Sequence, residues 1–329
     1  LVLFKLTGFF IAALSSSIMT RIDGWVDLQI NGLGGIDFNC KDLSEAHWDR
    51  AIEQLGQDGT KYFLPTLITD SIESLDAKLS RLAKLCKANM QDSQAASKSV
   101  GIHLEGPFLS DQTGYVGAHP REHAIELELD YLKRLVDAAD GCLKLVTLAP
   151  ERDPSGKGIE YLAKQNILVA AGHCDPSIDQ LRRAIDSGLT LFTHLGNACP
   201  PMLPRHDNII HRVLALRSSL RVTLIADSFH LPLWLLDSWV DWFGEDRVSI
   251  ISDAISAAGL PPGVYTLSDR KVDVGADGVP RSEDRTHFVG SGATLGRMHE
   301  ICRRELGWST HRLEKLFKVN AANWLGLDL

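Results

Sequence analysis

The chain has 329 residues, with 34 Lys and Arg against 42 Asp and Glu, a formal net charge of −8. Hydrophobic residues make up 44% and there are 27 Gly and 13 Pro, which is ordinary globular composition and excludes a disordered, collagenous or coiled-coil protein. The acidic balance argues against nucleic acid or an anionic membrane as the main partner, although a local pocket can still hold one small anion. The length suits either two domains or one large α/β barrel.

Residues 1–20 differ from the rest. One Lys precedes an apolar run from Leu6 to Leu14, and three serines follow. The run is too short to span a bilayer. We expect an N-terminal extension over 1–20, with the natural start at Met19. A secretion signal or a true first strand are the other readings.

From residue 21 the chain alternates β-rich runs with amphipathic segments. The β-rich runs fall at 25–31, 62–69, 100–108, 143–149, 167–173, 191–197, 222–227 and 248–253. Helical spacing predicts helices over 44–57, with Ser44 as N-cap, over 71–88, where Leu75, Leu79, Leu82 and Leu85 recur, and over 122–139, 177–187 and 231–243. Eight strands alternating with helices is the pattern of a (β/α)8 TIM barrel covering 21–329. A doubly wound sheet is disfavoured because no G-x-G-x-x-G follows the first strand. Residues 265–289 alternate and turn, and predict a small β insertion.

In such a barrel the chemistry sits at the C-terminal ends of the strands. There the sequence places Glu105, His173, His194 and Asp253, with Gln29 and Asn31 at the end of the first strand and His230 just past the seventh. Two His and one carboxylate form a familiar ligand set for a catalytic divalent metal. A separate Asp, here Asp253, suits the general base of metal-assisted hydrolysis. A strand-end His is otherwise most often a hydrogen-bonded core residue, so the argument rests on the set. The glycines at 32, 34 and 35 could form a phosphate loop, although Gly-rich turns after strands are common. Six scattered Cys without a C-x-x-C pair read as reduced thiols of a cytoplasmic protein, and Cys174 and Cys199 as packing residues.

Seven motifs occur in order: the run from Trp25 to Gly32 (WVDLQING), His103 to Phe108 (HLEGPF), Gly117-Ala118-His119, Ala171-Gly172-His173, Thr193-His194-Leu195-x-Asn197-Ala198, Ile225-Ala226-Asp227-x-x-His230, and Ser252-Asp253-Ala254. The series resembles the N-acetylglucosamine-6-phosphate deacetylase family of the amidohydrolase superfamily, over residues 24–326. The resemblance implies that Glu105, His173 and His194 bind one metal (zinc first, iron or manganese as alternatives) and that Asp253 is base and then acid. It implies that His119 holds the sugar and acetamide beside Ala118 and stabilises the oxyanion. Asn197, Ala198, His230 and Arg205 would then contact the sugar phosphate. The implied substrate is N-acetylglucosamine 6-phosphate. A second N-acyl amino-sugar phosphate, such as the galactosamine epimer, or a non-catalytic sugar-phosphate-binding role, are the alternatives. Many superfamily members carry His-x-His on strand 1 and bind two metals. Here Gln29 and Asn31 stand at those positions as vestigial second-metal sites, and amides ligate zinc poorly, so one metal is expected. The family's companion β-sandwich is expected to be reduced or absent, and a homodimer is the assembly the family suggests.

Overall fold

The computed structural model describes residues 24–328 apart from Asp269. The expected N-terminal extension, residues 1–20, lies outside them. Eight parallel strands follow one another around a barrel: β1 (Trp25–Ile30), β2 (Thr60–Ile68), β3 (Ile102–Glu105), β4 (Leu143–Leu148), β5 (Leu168–Ala171), β6 (Leu191–Phe192), β7 (Arg221–Ile225) and β8 (Val248–Ile251). Each is hydrogen-bonded to the next in chain order. Helices cover the outer face and side chains fill the interior, so both faces of the strands are buried and the runs read as almost continuously apolar.

Side chains and turn backbone together close the seam between β1 and β8. Asp253 N–H donates to the Gln29 carbonyl at 2.9 Å, and Asn31 N–H donates to the Ala254 carbonyl at 2.7 Å. Below them the Asp27 carboxylate accepts the Ser252 N–H at 3.1 Å. Its other oxygen, Oδ2, is buried without a hydrogen-bond partner.

The helices start where the caps predict. Ser44 Oγ accepts the His47 N–H ahead of α1 (Glu45–Asp58), and Ser71 Oγ accepts the Ser74 N–H ahead of α2 (Ile72–Gln91). Leu75, Leu79 and Leu82 of α2 are buried, as their spacing requires, whereas Leu85 is only partly so. One expected helix is corrected. The span 122–139 is helical only in α3 (Leu129–Ala138), preceded by a short 3₁₀ turn at Arg121–His123. Between them the Ile125 and Leu127 N–H groups donate to the Pro107 and Arg152 carbonyls, so this backbone is tied to neighbouring loops instead of a helix ladder.

The ring continues with α4 (Lys157–Lys164), α5 (Ile178–Asp186, with a full Ser177/Gln180 capping box), α6 (Ile209–Ala215) and α7 (Leu233–Phe243). The chain ends in α8 (Leu295–Glu305) and in α9 (Thr310–Glu314), which runs through a π-helical turn into α10 (Asn320–Leu325). The short α4 and α6 span barely two turns, too little for apolar periodicity to reveal.

Between β8 and α8 an antiparallel sheet of β9 (Gly263–Leu267), β10 (Arg270–Val274) and β11 (Pro280–Ser282) packs on its own apolar cluster, which includes Ile68, Ile255, Leu267, Val272 and Val289. The Asp37 carboxylate accepts the Ser268 N–H at 2.7 Å and fastens this sheet over the C-terminal end of the barrel. Among the described residues no β-sandwich accompanies the barrel, the six cysteines are free, and no helix is long and apolar enough to cross a membrane.

Burial raises the Asp27 pKa to about 7, against the smaller opposing effect of its Ser252 and Gln29 hydrogen bonds. A carboxyl whose folded pKa is raised stabilises the fold below its unfolded pKa, and this contribution is lost as pH rises through the folded value. Asp27→Asn should therefore flatten the loss of thermal stability between pH 4 and about pH 7, measured by calorimetry. An equal pH dependence in both proteins would contradict this.

Candidate active site

The site is built by backbone that leaves the strands early. β3 ends on Glu105 itself, whereas β5, β6 and β8 each stop two residues before His173, His194 and Asp253. At those three residues φ is positive, at 51°, 33° and 47°. This conformation is costly for a residue with a side chain and survives only where neighbours enforce it. Here the Thr223 hydroxyl accepts the His194 N–H at 2.8 Å, the His173 carbonyl accepts the Ser110 N–H at 3.0 Å, and the Asp253 N–H is held by Gln29. The turns aim all three side chains across the barrel mouth toward Glu105.

Glu105 is 2% exposed. Its Oε1 lies 2.9 Å from His194 Nε2 and 3.3 Å from His173 Nε2, and its Oε2 lies 3.7 Å from His119 Nε2. Burial pushes its pKa up, but the His173 and His194 contacts outweigh burial and hold the carboxyl well below its usual range. For His194, burial disfavours the charged form, yet contact with Glu105 raises its pKa on balance. The ligand atoms of Glu105, His173 and His194 lie within 4.8 Å of one another. His173 Nδ1 sits 2.9 Å from the Tyr115 carbonyl, which assigns the ring proton to Nδ1 and leaves Nε2 as a lone-pair donor. His194 Nδ1 is buried without a partner. A buried carboxylate ringed by imidazoles, with no Lys or Arg paired to it among the described residues, fits a divalent cation.

His119 joins this group from the loop after β3. Its Nδ1 is 2.9 Å from the Thr69 hydroxyl and accepts the Thr69 N–H at 3.3 Å. A backbone N–H can only donate, so Nδ1 is the acceptor and the His119 proton sits on Nε2, facing the cavity. Burial, and next the neighbouring His173 ring, hold its pKa well below the ordinary value, so it is a neutral N–H donor.

Asp253 Oδ1 accepts from Gln29 Nε2 at 3.0 Å and from Asn31 Nδ2 at 2.8 Å. Burial, then the charge of Glu105, raises its pKa. The two amides expected as vestigial metal positions thus have a present task, which is to fix one oxygen of Asp253.

A cavity open to solvent surrounds these groups. Ala118, Asn197, Ala198 and His230 line it, together with Glu105, His119, His173, His194 and Asp253. Arg205 does not. It is exposed and absent from the cavity wall. The physical reason is the loop that carries it. Pro200, Pro201 and Pro204 restrict its backbone, and the Pro204 carbonyl is tied to Asn208 Nδ2 at 2.9 Å, ahead of α6. The glycine loop after β1 is likewise no phosphate site. The N–H groups of Asn31, Gly32, Gly34 and Gly35 all donate to carbonyls of residues 254–258.

Several contributors escaped the sequence reading. His287 and Phe288, from the segment after β11, line the cavity, and His230 packs edge-on against Phe288 at 5.3 Å. Beneath the site, His103 bonds Thr147 Oγ1 at 2.8 Å, and Thr147 bonds Thr193 Oγ1 at 2.8 Å. Burial lowers the His103 pKa to about 4, so this ring is a neutral member of the barrel interior and not a ligand. A lone hydroxyl or carbonyl partner such as Thr69 or Tyr115 leaves no signature in spacing.

The parallel barrel and its buried Glu-His-His group define a metal-dependent hydrolase of the amidohydrolase type. No family model matches the sequence. The chain is, however, 31% identical over 315 residues to the N-acetylglucosamine-6-phosphate deacetylase of Bacillus subtilis (strain 168), with 93% of this chain and 75% of the relative covered. It is 30% identical over 250 residues to the N-acetylgalactosamine-6-phosphate deacetylase of Escherichia coli O157:H7, with 76% and 64% covered. Among solved structures it matches a mutant N-acetyl-D-glucosamine-6-phosphate deacetylase from Mycobacterium smegmatis, in complex with N-acetyl-D-glucosamine-6-phosphate. The TM-score is 0.83 at 30% identity, over 93% of this chain and 78% of that one. The Thermotoga maritima N-acetylglucosamine-6-phosphate deacetylase matches at 0.80 and 29%, over 93% and 79%. This chain belongs to the N-acetylglucosamine-6-phosphate deacetylase family.

Glu105→Gln removes the only negative charge of the Glu-His-His group. The purified variant should retain less than about a tenth of the metal of the parent protein by elemental analysis. Equal metal content in both proteins would place the cation elsewhere.

Proposed function

We propose that this chain hydrolyses the acetamide of N-acetylglucosamine 6-phosphate to glucosamine 6-phosphate and acetate. The observation that carries the reading is the convergence of Glu105, His173, His194 and a separately anchored Asp253 at one barrel mouth. Relatives that match 93% of this chain, share its fold and are named for the reaction support it.

Glu105, His173 and His194 would hold one divalent cation, with zinc best suited to the donors and iron or manganese as alternatives. When bound, the cation acidifies a water and polarises the acetamide carbonyl. Asp253 takes a proton from the attacking water as its oxygen bonds to the carbonyl carbon. The C–N bond then breaks, and Asp253 returns that proton to the departing amine. The raised pKa of Asp253 matches both halves of this task. The His119 Nε2–H donates to the oxygen on which negative charge develops. Asn197, the Ala198 backbone and His230 hold the sugar phosphate. Asn197 Nδ2 is anchored on the His194 carbonyl at 3.1 Å, which ties this wall of the pocket to a ligand residue. We assign the chain to the cytoplasm, in keeping with its free thiols. A homodimer is part of the proposal as well, supported by the exposed Met202, Phe229 and Trp234 on the β6 and β7 side of the barrel.

Acetate release from N-acetylglucosamine 6-phosphate, beside its galactosamine epimer, tests the reading. No release from either substrate by metal-loaded protein would overturn it. Asp253→Asn should lower kcat by about 10²–10⁴-fold while substrate still binds. Gln29→Ala and Asn31→Ala should each lower kcat about tenfold with metal content preserved. Loss of metal in these two variants would return them to the role of ligands.

A further inference from the structure

The cavity is to hold a phosphate, yet among the described residues no Lys or Arg lines it. The side chains in its wall able to carry positive charge are imidazoles. Three of them, His119, His173 and His194, face Glu105. His287 is exposed at the rim, with Nδ1 3.0 Å from Thr286 Oγ1. His230 is different, because a buried carboxylate stands behind it. Its Nδ1 lies 2.7 Å from Asp227 Oδ2, and both side chains are almost fully enclosed, at 6% and 5% exposed. The same Asp227 oxygen accepts the Ser291 hydroxyl at 2.9 Å. The other, Oδ1, accepts the N–H groups of Phe229 and His230, each at 2.9 Å. Phe288 packs against the His230 ring, and the Arg281 guanidinium lies over the Phe288 ring at 5.5 Å.

We propose that Asp227, seated by Ser291, is a positioning residue that fixes the His230 proton on Nδ1 and turns Nε2 toward the cavity as the contact for the substrate's phosphate. The proposal rests on the deacetylase reading for its substrate, and on geometry for the rest. An ionised carboxylate has no hydrogen to give, so at 2.7 Å the proton between the two side chains belongs to Nδ1. Nε2 makes no hydrogen bond among the described residues, and its ring lines the cavity. An unprotonated phosphate oxygen can meet Nε2 only if Nε2 also carries a hydrogen, so the ring that binds it is the doubly protonated one, with its Nδ1–H held by Asp227. The four hydrogen bonds to Asp227 keep its charge in place. Burial raises its pKa, but His230 and the backbone N–H groups outweigh burial and bring it to about 2. The relevant charges around the pair are Asp227 itself, Asp253 across the cavity and Arg281 behind Phe288.

Asp227→Asn separates positioning from scaffolding. Its amide oxygen still accepts the Phe229 and His230 N–H groups, while its NH₂ faces Nδ1 as a donor and forces the neutral ring. In the metal-loaded enzyme the readout is the ratio of kcat/KM for N-acetylglucosamine 6-phosphate to that for unphosphorylated N-acetylglucosamine. The ratio should fall about tenfold or more in Asp227→Asn, chiefly through KM, and severalfold in Ser291→Ala. Equal losses on both substrates, with the ratio unchanged, would make Asp227 merely structural and overturn the proposal. Long-range ¹H–¹⁵N spectra of the histidines supply the second readout. The parent enzyme should show a hydrogen-bonded Nδ1–H at His230, absent in Asp227→Asn, and inorganic phosphate should shift the His230 Nε2 resonance in the parent. A His230 protonated on Nε2 alone, or unmoved by phosphate, would overturn the proposal even if neither sugar were hydrolysed. That last result would instead count against the deacetylase reading. Should Asp227→Asn fail to fold, Ser291→Ala and the spectrum of the parent enzyme decide the matter.

Discussion

Everything at the barrel mouth depends on the burial of one carboxylate. Glu105 has lost its water, and no Lys or Arg among the described residues pairs with it, so its charge must be met by the imidazoles of His173, His194 and His119 and by whatever those rings can bind. A charge in that position is too costly to keep without compensation. The compensation is a donor set whose atoms crowd within 4.8 Å. The same charge acts on its surroundings, raising the pKa of Asp253 and of His194. The chemistry is thus set up by electrostatics that the fold enforces.

Enforcement comes from the seam and from strained turns. β1 and β8 meet through Asp27 and Ser252, then Gln29 and Asp253, then Asn31 and Ala254. The contacts that close the barrel are therefore also the contacts that hold Asp253, the proposed general base. His173, His194 and Asp253 adopt left-handed backbone that only surrounding hydrogen bonds sustain. Such positions cost stability and keep the side chains aimed inward whether or not substrate is present. The recurring arrangement is a reactive side chain with one atom pinned: His173 by a carbonyl, His119 by Thr69, Asp253 by two amides, His230 by Asp227.

Much of this was legible in the sequence. Eight β-rich runs gave eight strands in the expected order, and Ser44, Ser71 and Ser177 capped helices as their positions suggest. Strand ends were read too long at β5, β6 and β8, because nothing in local composition reports that His173, His194 or Asp253 turns to positive φ. The reading of 122–139 as one helix failed where backbone donors are captured by distant loops. Convergence of Glu105, His173, His194 and Asp253 followed from barrel topology alone. The tasks of Gln29 and Asn31 did not, since an amide two strands of chemistry away from a ligand looks the same in sequence whether it faces a metal or an aspartate. Arg205 matched by position, yet its proline-rich loop leaves it outside the cavity. His287 and Phe288 entered from an insertion whose path no periodicity predicts.

The central claim is that one cation on Glu105, His173 and His194 suffices for hydrolysis, with Gln29 and Asn31 serving Asp253 instead of a second ion. Titration of chelator-stripped protein with zinc, following acetate release from N-acetylglucosamine 6-phosphate, tests it most directly. The account predicts that activity rises linearly and saturates at one equivalent per chain. Saturation only at two equivalents, or full activity in the stripped protein, would contradict it.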